Sequence, residues 1–196
     1  MSQADLFAAP LIDGLDYDDE LITPAEHDQL VLRLAAIDLR PFRFHGWTGN
    51  RKTETYGWRY DFTDASFTPA EPIPDWLLPL RVKAAAFAGV EAGDFAHVLL
   101  ARYDPGAGIG WHRDRPQFET VVGVSLYSAT RMRFRQRTPD GFRRANIHLA
   151  PRSAYVLTAA ARWEWEHSIA AGETLRFSIT FRTLSEQGRQ RAAQHL

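Results

Sequence analysis

Four residues near the middle of the chain, Trp111-His112-Arg113-Asp114, set an imidazole and a carboxylate two positions apart. On an extended backbone such side chains share a face, so both can reach one ion. A third ligand is needed. His167, within Trp163-Glu164-Trp165-Glu166-His167-Ser168-Ile169, is the best placed of the remaining histidines. His27 falls on the exposed face of a helix, His45 in a loop and His195 in the tail, while His97 and His148 lie in strand-like segments as core or surface groups. Two histidines and one carboxylate hold a metal on one side and leave three positions open for a co-substrate and oxygen. Alone, His-x-Asp is weak, since in a chain this rich in acids one such doublet is expected about once by chance. Its bland reading is a polar pair at the surface.

A second pattern supports the metal reading. Leu175, Phe177, Ile179 and Phe181 alternate without fault with Arg176, Ser178, Thr180 and Arg182. A strand of this kind commonly turns its polar face to water. The alternative is that the polar face lines a barrel interior. A buried guanidinium costs several kcal/mol unless paired, so an inward arginine demands an anion. A dicarboxylic co-substrate supplies one, because arginine binds a carboxylate through a fork of two parallel hydrogen bonds. Six residues of strand span about 20 Å. One arginine therefore reaches the far carboxylate while the other stands near the metal.

The elements that must carry these residues are readable in outline. Thr23-Pro24-Ala25-Glu26 has the form of a helix start, and Leu30, Leu34 and Ile37 continue it on one apolar face. Tyr56, Trp58, Tyr60 and Phe62 alternate along an expected strand, Thr55–Phe62. A proline-rich stretch leads into a second helix over 80–88. Beyond Phe95 strands are expected at 95–103, 120–127, 130–137, 145–149, 153–158 and 173–183. Two helices followed by many short strands make an α+β chain, a β-sandwich or barrel backed by helices. Residues 1–22 read as an acidic irregular leader, and 23–196 as a single domain.

Composition narrows the chemistry. The chain has 196 residues, enough for one sizeable core, and no cysteine. Disulfides, thiolate metal sites and thiol nucleophiles are excluded, so any metal sits on nitrogen and oxygen. No basic, apolar leader marks a secretory signal, and no apolar run approaches the length of a membrane span. A cytoplasmic protein without a membrane partner is expected. The net charge of −1 conceals an asymmetry. Residues 1–32 hold eight acids and no lysine or arginine, leaving 23 basic against 16 acidic side chains beyond them. A positive body suits a polyanion such as nucleic acid, or is simply a solvated surface. Arg51, Lys52, Arg131, Arg133, Arg135 and Arg137 are candidate phosphate contacts, and Tyr56, Trp58 and Tyr60 candidate stacking platforms for a base. Both patterns have plainer readings, a solvated strand face and a core stripe.

Taken together these residues make the sequence resemble the AlkB-type dioxygenases, which undo N-alkylation of nucleobases. The resemblance covers about Thr53 to Leu184. It rests on Arg102-Tyr103-Asp104-Pro105-Gly106, on Ile109-Gly110-Trp111-His112-Arg113-Asp114, on His167 55 residues after His112, and on the Arg176 to Arg182 spacing that ends in Thr180-Phe181-Arg182. It implies a double-stranded β-helix of the jelly-roll type. It also implies Fe(II) on His112, Asp114 and His167, with 2-oxoglutarate and O2 as co-substrates. Arg176 would clamp the distal carboxylate of 2-oxoglutarate, Tyr103 would hydrogen-bond it, and Arg182 would support the end nearer the metal. The implied reaction is oxidative demethylation of 1-methyladenine or 3-methylcytosine type bases in single-stranded DNA or RNA, as in DNA repair, by a monomer. Two positions depart from the pattern. Ala101 stands where repair members usually carry an asparagine, a load Ser178 would share, and Pro116 stands where many base-acting members carry an acid. Those departures favour an alternative, an oxygenase of the same chemistry acting on protein or a small molecule; a third reading, independent of them, is a non-catalytic jelly-roll binding module.

Overall fold

The computed structural model describes residues 12–44, 47–61 and 64–195. In chain order the elements begin with β1 (Leu15–Asp18), α1 (Pro24–Ala36), β2 (Arg40–Phe44), β3 (Trp47–Tyr56), β4 (Trp58–Tyr60) and β5 (Phe67–Pro69). There follow α2 (Leu78–Ala88), β6 (Phe95–Tyr103), β7 (Ile109–His112), β8 (Phe118–Leu126), β9 (Thr130–Thr138), β10 (Gly141–Leu149) and β11 (Ala154–Leu157). Last come α3 (Ala159–Trp163), β12 (Glu166–Ile169), β13 (Arg176–Leu184) and α4 (Glu186–Ala192). The strands form a seven-stranded antiparallel sheet, β1-β11-β8-β13-β6-β3-β2, and a four-stranded one, β10-β9-β12-β7, while β4 and β5 pair apart.

The first helix starts where its sequence dictates. Thr23 Oγ1 accepts from the Glu26 N–H at 3.3 Å, and Glu26 Oε2 accepts from the Thr23 N–H at 2.8 Å, a reciprocal cap for two otherwise unpaired donors. Leu30 and Leu34 then bury their side chains. In α2, Leu80, Ala84 and Ala85 do the same, and the helix stops at Gly89 in the left-handed region. These residues share one core with Val98, Leu100, Val122, Val124, Phe177, Ile179 and Phe181, so both helices cover one face of the large sheet. The three β13 side chains in that core are fully buried, each worth about 1.5–3 kcal/mol. Their burial fixes the register of β13, and the pleat sends Arg176, Ser178, Thr180 and Arg182 to the opposite face. That face looks toward the four-stranded sheet. The polar face of β13 is therefore interior.

Some expectations need correction. The leader is not irregular up to residue 22: β1 pairs with β11 from Leu15↔Leu157 to Asp18↔Ala154, and Ile12, Leu15 and Ile22 are buried. Leu-Asp-Tyr-Asp does alternate, but four residues at the shortest limit of a strand pattern are too few to announce an edge strand. Thr55–Phe62 is not one strand. Gly57, at φ +81°, turns the chain, leaving Tyr56 at the end of β3 and Trp58 and Tyr60 in β4. A Cβ at Gly57 would run into the Ala96 carbonyl, so the turn needs a glycine there on both counts. Phe62 lies outside the described residues. Strand β10 begins at Gly141 rather than 145, because its polar first half pairs in a hairpin with β9. His27 is not on an exposed face; its Nε2 accepts from the Tyr127 N–H at 3.1 Å. Among the described residues no helix is long and apolar enough to cross a membrane.

Candidate metal centre and active site

Strands β7 and β12 are antiparallel neighbours with His112 directly opposite His167, so their rings lie 4.3 Å apart, centroid to centroid. Asp114, two residues past His112, brings its carboxylate to the same point. One ligand atom from each of the three lies within 4.8 Å of the others. The donor set fits a divalent metal. His112 Nδ1 stands 2.9 Å from the Gly110 carbonyl, which can only accept, so the proton is assigned to Nδ1 and the Nε2 lone pair is left for a ligand role. Burial and the neighbouring His112 push His167 down to about 3, and burial holds His112 below its ordinary value as well. Both rings stay neutral near pH 7, as metal ligation requires. Burial alone would raise Asp114, but Arg182 and the two imidazoles outweigh it and hold the carboxyl far below its ordinary value.

Arg182 sets the direction of that carboxylate. Its Nη2 donates to Asp114 Oδ1 at 2.8 Å, and its Nη1 donates to His97 Nδ1 at 3.3 Å. His97 is buried, and burial together with the Arg182 charge keeps it neutral, so its nitrogen can accept. Arg182, which the resemblance places at the co-substrate end nearer the metal, lines the same cavity, with Nη2 on Asp114 and Nη1 on His97.

Arg176, on the same face of β13, is placed differently. It is 4% exposed, yet only Nη2 finds a partner of known geometry, Ser125 Oγ at 3.2 Å, while Nε and Nη1 have none. Its guanidinium lies 5.1 Å from the centre of the Tyr103 ring. Burial alone would raise the Tyr103 phenol, but Arg51 and Arg176 on either side bring it below its ordinary value. A single cavity joins this cationic end to the His-Asp-His end. Tyr103, Arg176, Ser178, Thr180 and Arg182 line it from the large sheet, and Met132, His167 and Ile169 from the small one.

Other candidates are placed elsewhere. Tyr56 packs against the main core, and Trp58 stacks on Phe67 at 5.0 Å beside Tyr60, away from the cavity lining. Lys52 pairs with Asp104 at 3.0 Å, and Arg51, expected to meet phosphate, is buried and turned into the cavity. Arg131, Arg133, Arg135 and Arg137 occupy the outward face of β9. His148 is exposed on β10, His195 meets the edge of Trp58, and His45 lies outside the described residues. Sequence reasoning missed Arg51 as a cavity residue, and it missed Tyr155. A signal for Tyr155 existed: Gly123 interrupts an apolar strand, and the Tyr155 ring occupies the space a Cβ there would fill.

Comparison with known proteins agrees with this geometry. Residues 27–182 match the family described as the 2OG-Fe(II) oxygenase superfamily. An uncharacterized protein of Acanthamoeba polyphaga mimivirus is 31% identical over 103 residues, 46% of this chain and 49% of that protein. A probable RNA/DNA demethylase, ALKBH6 of Danio rerio, is 38% identical over 66 residues, 33% of this chain and 28% of its own length. The chain thus spans about half or less of the curated relatives it matches. Among solved structures, OsALKBH1 aligns over 87% of this chain and 96% of its own with a TM-score of 0.64 at 13% identity. A Pseudomonas putida prolyl-4-hydroxylase aligns over 88% and 93% with a TM-score of 0.59 at 17% identity. At such identities these two likenesses speak for the fold. With its cavity, its donor set and a family match over most of its length, the chain belongs to the 2OG-Fe(II) oxygenase superfamily, with AlkB-type likenesses in both sequence and fold.

Proposed function

We propose that this dioxygenase oxidatively demethylates N-alkylated bases, of the 1-methyladenine and 3-methylcytosine type, in single-stranded DNA or RNA, with succinate, CO2 and formaldehyde as products. The observation that carries the co-substrate half is Arg176, a buried cation with two unpartnered nitrogens, Nε and Nη1, in the same cavity as the His-Asp-His cluster. A buried charge persists only where something compensates it, and a carboxylate of 2-oxoglutarate is of the right charge and shape. In this reading His112, Asp114 and His167 hold Fe(II), Arg176 grips the distal carboxylate, and Tyr103 and Ser178 hydrogen-bond it. Fe(II), 2-oxoglutarate and O2 supply the oxidising power when bound. The protein contributes placement and the exclusion of water. Arg182 keeps Asp114 ionised and aimed, and Gly110 keeps the His112 proton on the far nitrogen.

Residues 23–196 would then be one oxygenase domain whose two sheets are the layers of a double-stranded β-helix, with β1 added at an edge. A reducing compartment such as the cytoplasm suits a chain without cysteines. The nucleic-acid half rests on the local likeness to the demethylase relative and on the basic balance beyond residue 32. One observation favours a second reading, the same chemistry on protein or a small molecule. Pro116 offers no acid, and its carbonyl is taken by Ser185 Oγ at 2.6 Å. The test is to incubate the purified enzyme with Fe(II), 2-oxoglutarate and methylated oligonucleotides, measuring succinate and the mass loss of one methylene. Stimulated succinate release together with that mass loss supports demethylation. Succinate without base repair selects the second reading.

A further inference from the structure

The four-stranded sheet has an inner face, carrying His112, His167, Met132 and Phe134, and an outer one. On the outer face β9 shows Arg131, Arg133, Arg135 and Arg137, and their cross-strand partners on β10 are His148, Asn146, Arg144 and Phe142. Toward the other side, Ser168 and Glu166 of β12 stand opposite Arg133 and Arg135. The edge strand β7 then supplies Trp111. Five guanidiniums thus share a face on which the strands place one carboxylate, that of Glu166, which pairs with Arg135 Nε at 2.6 Å.

A merely solvated face would leave such long side chains to wander. Here four of the five are laid on aromatic rings. Arg133 and Arg135 lie 5.2 and 4.5 Å from the centre of the Trp111 ring, and Arg135, Arg137 and Arg144 lie 4.7, 5.8 and 5.5 Å from that of Phe142. A guanidinium held against a ring has given up much of its rotamer freedom already, so less is lost when it meets an anion. Arg133 is further fixed by donating from Nε to Ser168 Oγ at 3.1 Å. The track runs across the sheet from Phe142 on the outer edge to Trp111 on the other, and Trp111 is the residue before His112. Neighbouring strands lie about 4.8 Å apart, so the band of cations crosses most of the sheet in steps that a flexible polyanion can follow.

We infer that this outer face is the docking surface for the phosphate backbone of a single-stranded nucleic acid, which it leads to the edge strand bearing the metal-site histidine. The inference rests on the nucleic-acid reading of the function and adds where the strand lies. Aromatic rings interleaved with arginines suit a single strand, whose bases are free to stack and whose backbone bends; a salt-dependent affinity with little sequence preference follows.

The test uses the full chain and a triple variant, Arg131→Gln, Arg137→Gln and Arg144→Gln, at three exposed positions outside the cavity. Binding of short labelled oligothymidylate and oligouridylate is followed by fluorescence anisotropy across a salt series, with 2-oxoglutarate turnover in the absence of oligonucleotide as the control for folding. Each phosphate no longer neutralised by an arginine lowers the logarithmic salt slope by about 0.7, so three of them lower it by about 2. Expected is that fall together with at least a tenfold weaker affinity at low salt, the turnover control being unchanged. A wild-type chain that binds oligonucleotide, with a triple variant of equal slope and affinity, overturns the docking surface and leaves the nucleic-acid reading standing. A wild-type chain that binds neither oligonucleotide overturns both. Loss of binding only to vesicles of anionic lipid, with oligonucleotide binding intact, also overturns it and reassigns the face to a membrane.

Discussion

Replacing Arg176 by methionine separates an arginine that serves the fold from one that serves a ligand. The side chain is 4% exposed, with one donor on Ser125 and two nitrogens unpartnered. Burial already disfavours its charged form. Methionine keeps much of the volume and removes the charge, and such an exchange of a buried ion for an apolar group is neutral or stabilising by about 1–4 kcal/mol. The unliganded protein should therefore melt at the same temperature or a few degrees higher, since 1 kcal/mol moves a domain of this size by roughly 2–4 °C. Co-substrate affinity moves the opposite way. Two charge-assisted hydrogen bonds at about 1.5–3 kcal/mol each amount to roughly 3–6 kcal/mol, or about two to four decades in the 2-oxoglutarate dissociation constant. Wild-type protein at a hundredfold excess over that constant gains about 2.7 kcal/mol of stability from the ligand, and R176M should gain at most about 0.4 kcal/mol at the same concentration. Thermal melts of the metal-loaded protein under anaerobic conditions, with and without 2-oxoglutarate, read both quantities. An R176M protein that is several kcal/mol less stable but responds to 2-oxoglutarate like wild type would refute the assignment of Arg176 to an anion.

Arg182→Met should behave in the opposite sense, because it leaves the Asp114 carboxylate buried without its partner; a loss of about 3–5 kcal/mol is expected by urea denaturation, with D114N in the same background recovering part of it. Glu26→Gln should cost about 1 kcal/mol through the helix cap. Its pH signature is specific: Lys83 and the Thr23 N–H lower Glu26 from 4.5 to about 2, so its contribution is fully present above pH 4.5 and fades as pH falls toward 2. The difference in stability between wild type and E26Q should shrink over that window, and a constant difference counts against the cap. Gly123→Ala should cost about 1–3 kcal/mol by crowding Tyr155. Because Tyr155 lines the cavity, the KM for 2-oxoglutarate should rise more than kcat falls, and a purely thermal effect would show the crowding relieved elsewhere.

What could be read from the sequence was what local patterns over-determine. Helix α1 has a cap that two side chains share, and β13 alternates over eight residues with large apolar groups, so the start of the helix and the division of the strand into two faces followed from residue type, while the register of β13 and which way its polar face turns needed the neighbouring strands. The two histidines were legible from the His-x-Asp doublet, from the poorer placement of the other histidines and from the spacing of the resemblance, although the strands that carry them, β7 and β12, were not among those expected. What escaped depended on neighbours far apart in the chain. Whether Gly57 ends a strand depends on the Ala96 backbone beside it, and whether Arg51 looks inward depends on β3 joining the sheet next to β6. Edge strand β1 is legible only once β11 is there to receive it.

The two arginines of β13 show how a single alternating strand can specify a metal and an anion at once. Both are driven inward by the same apolar partners, Phe177, Ile179 and Phe181, so sheet packing alone cannot distinguish them. Their surroundings do. Arg182 faces β7 and meets Asp114, a carboxylate from within the chain, and the pair is closed. Arg176 faces Ser125 and Tyr103, groups that can accept a hydrogen bond but bring no full charge to match its own. The strand's periodicity thus creates two inward cations, and the lack of an acid opposite only one of them is what turns that position into a candidate seat for a dianion. Introducing a carboxylate there, as Ser125→Asp, should satisfy Arg176 internally, raise the melting temperature of the unliganded protein and abolish binding of 2-oxoglutarate, whereas retained 2-oxoglutarate binding in S125D would show that the co-substrate sits elsewhere.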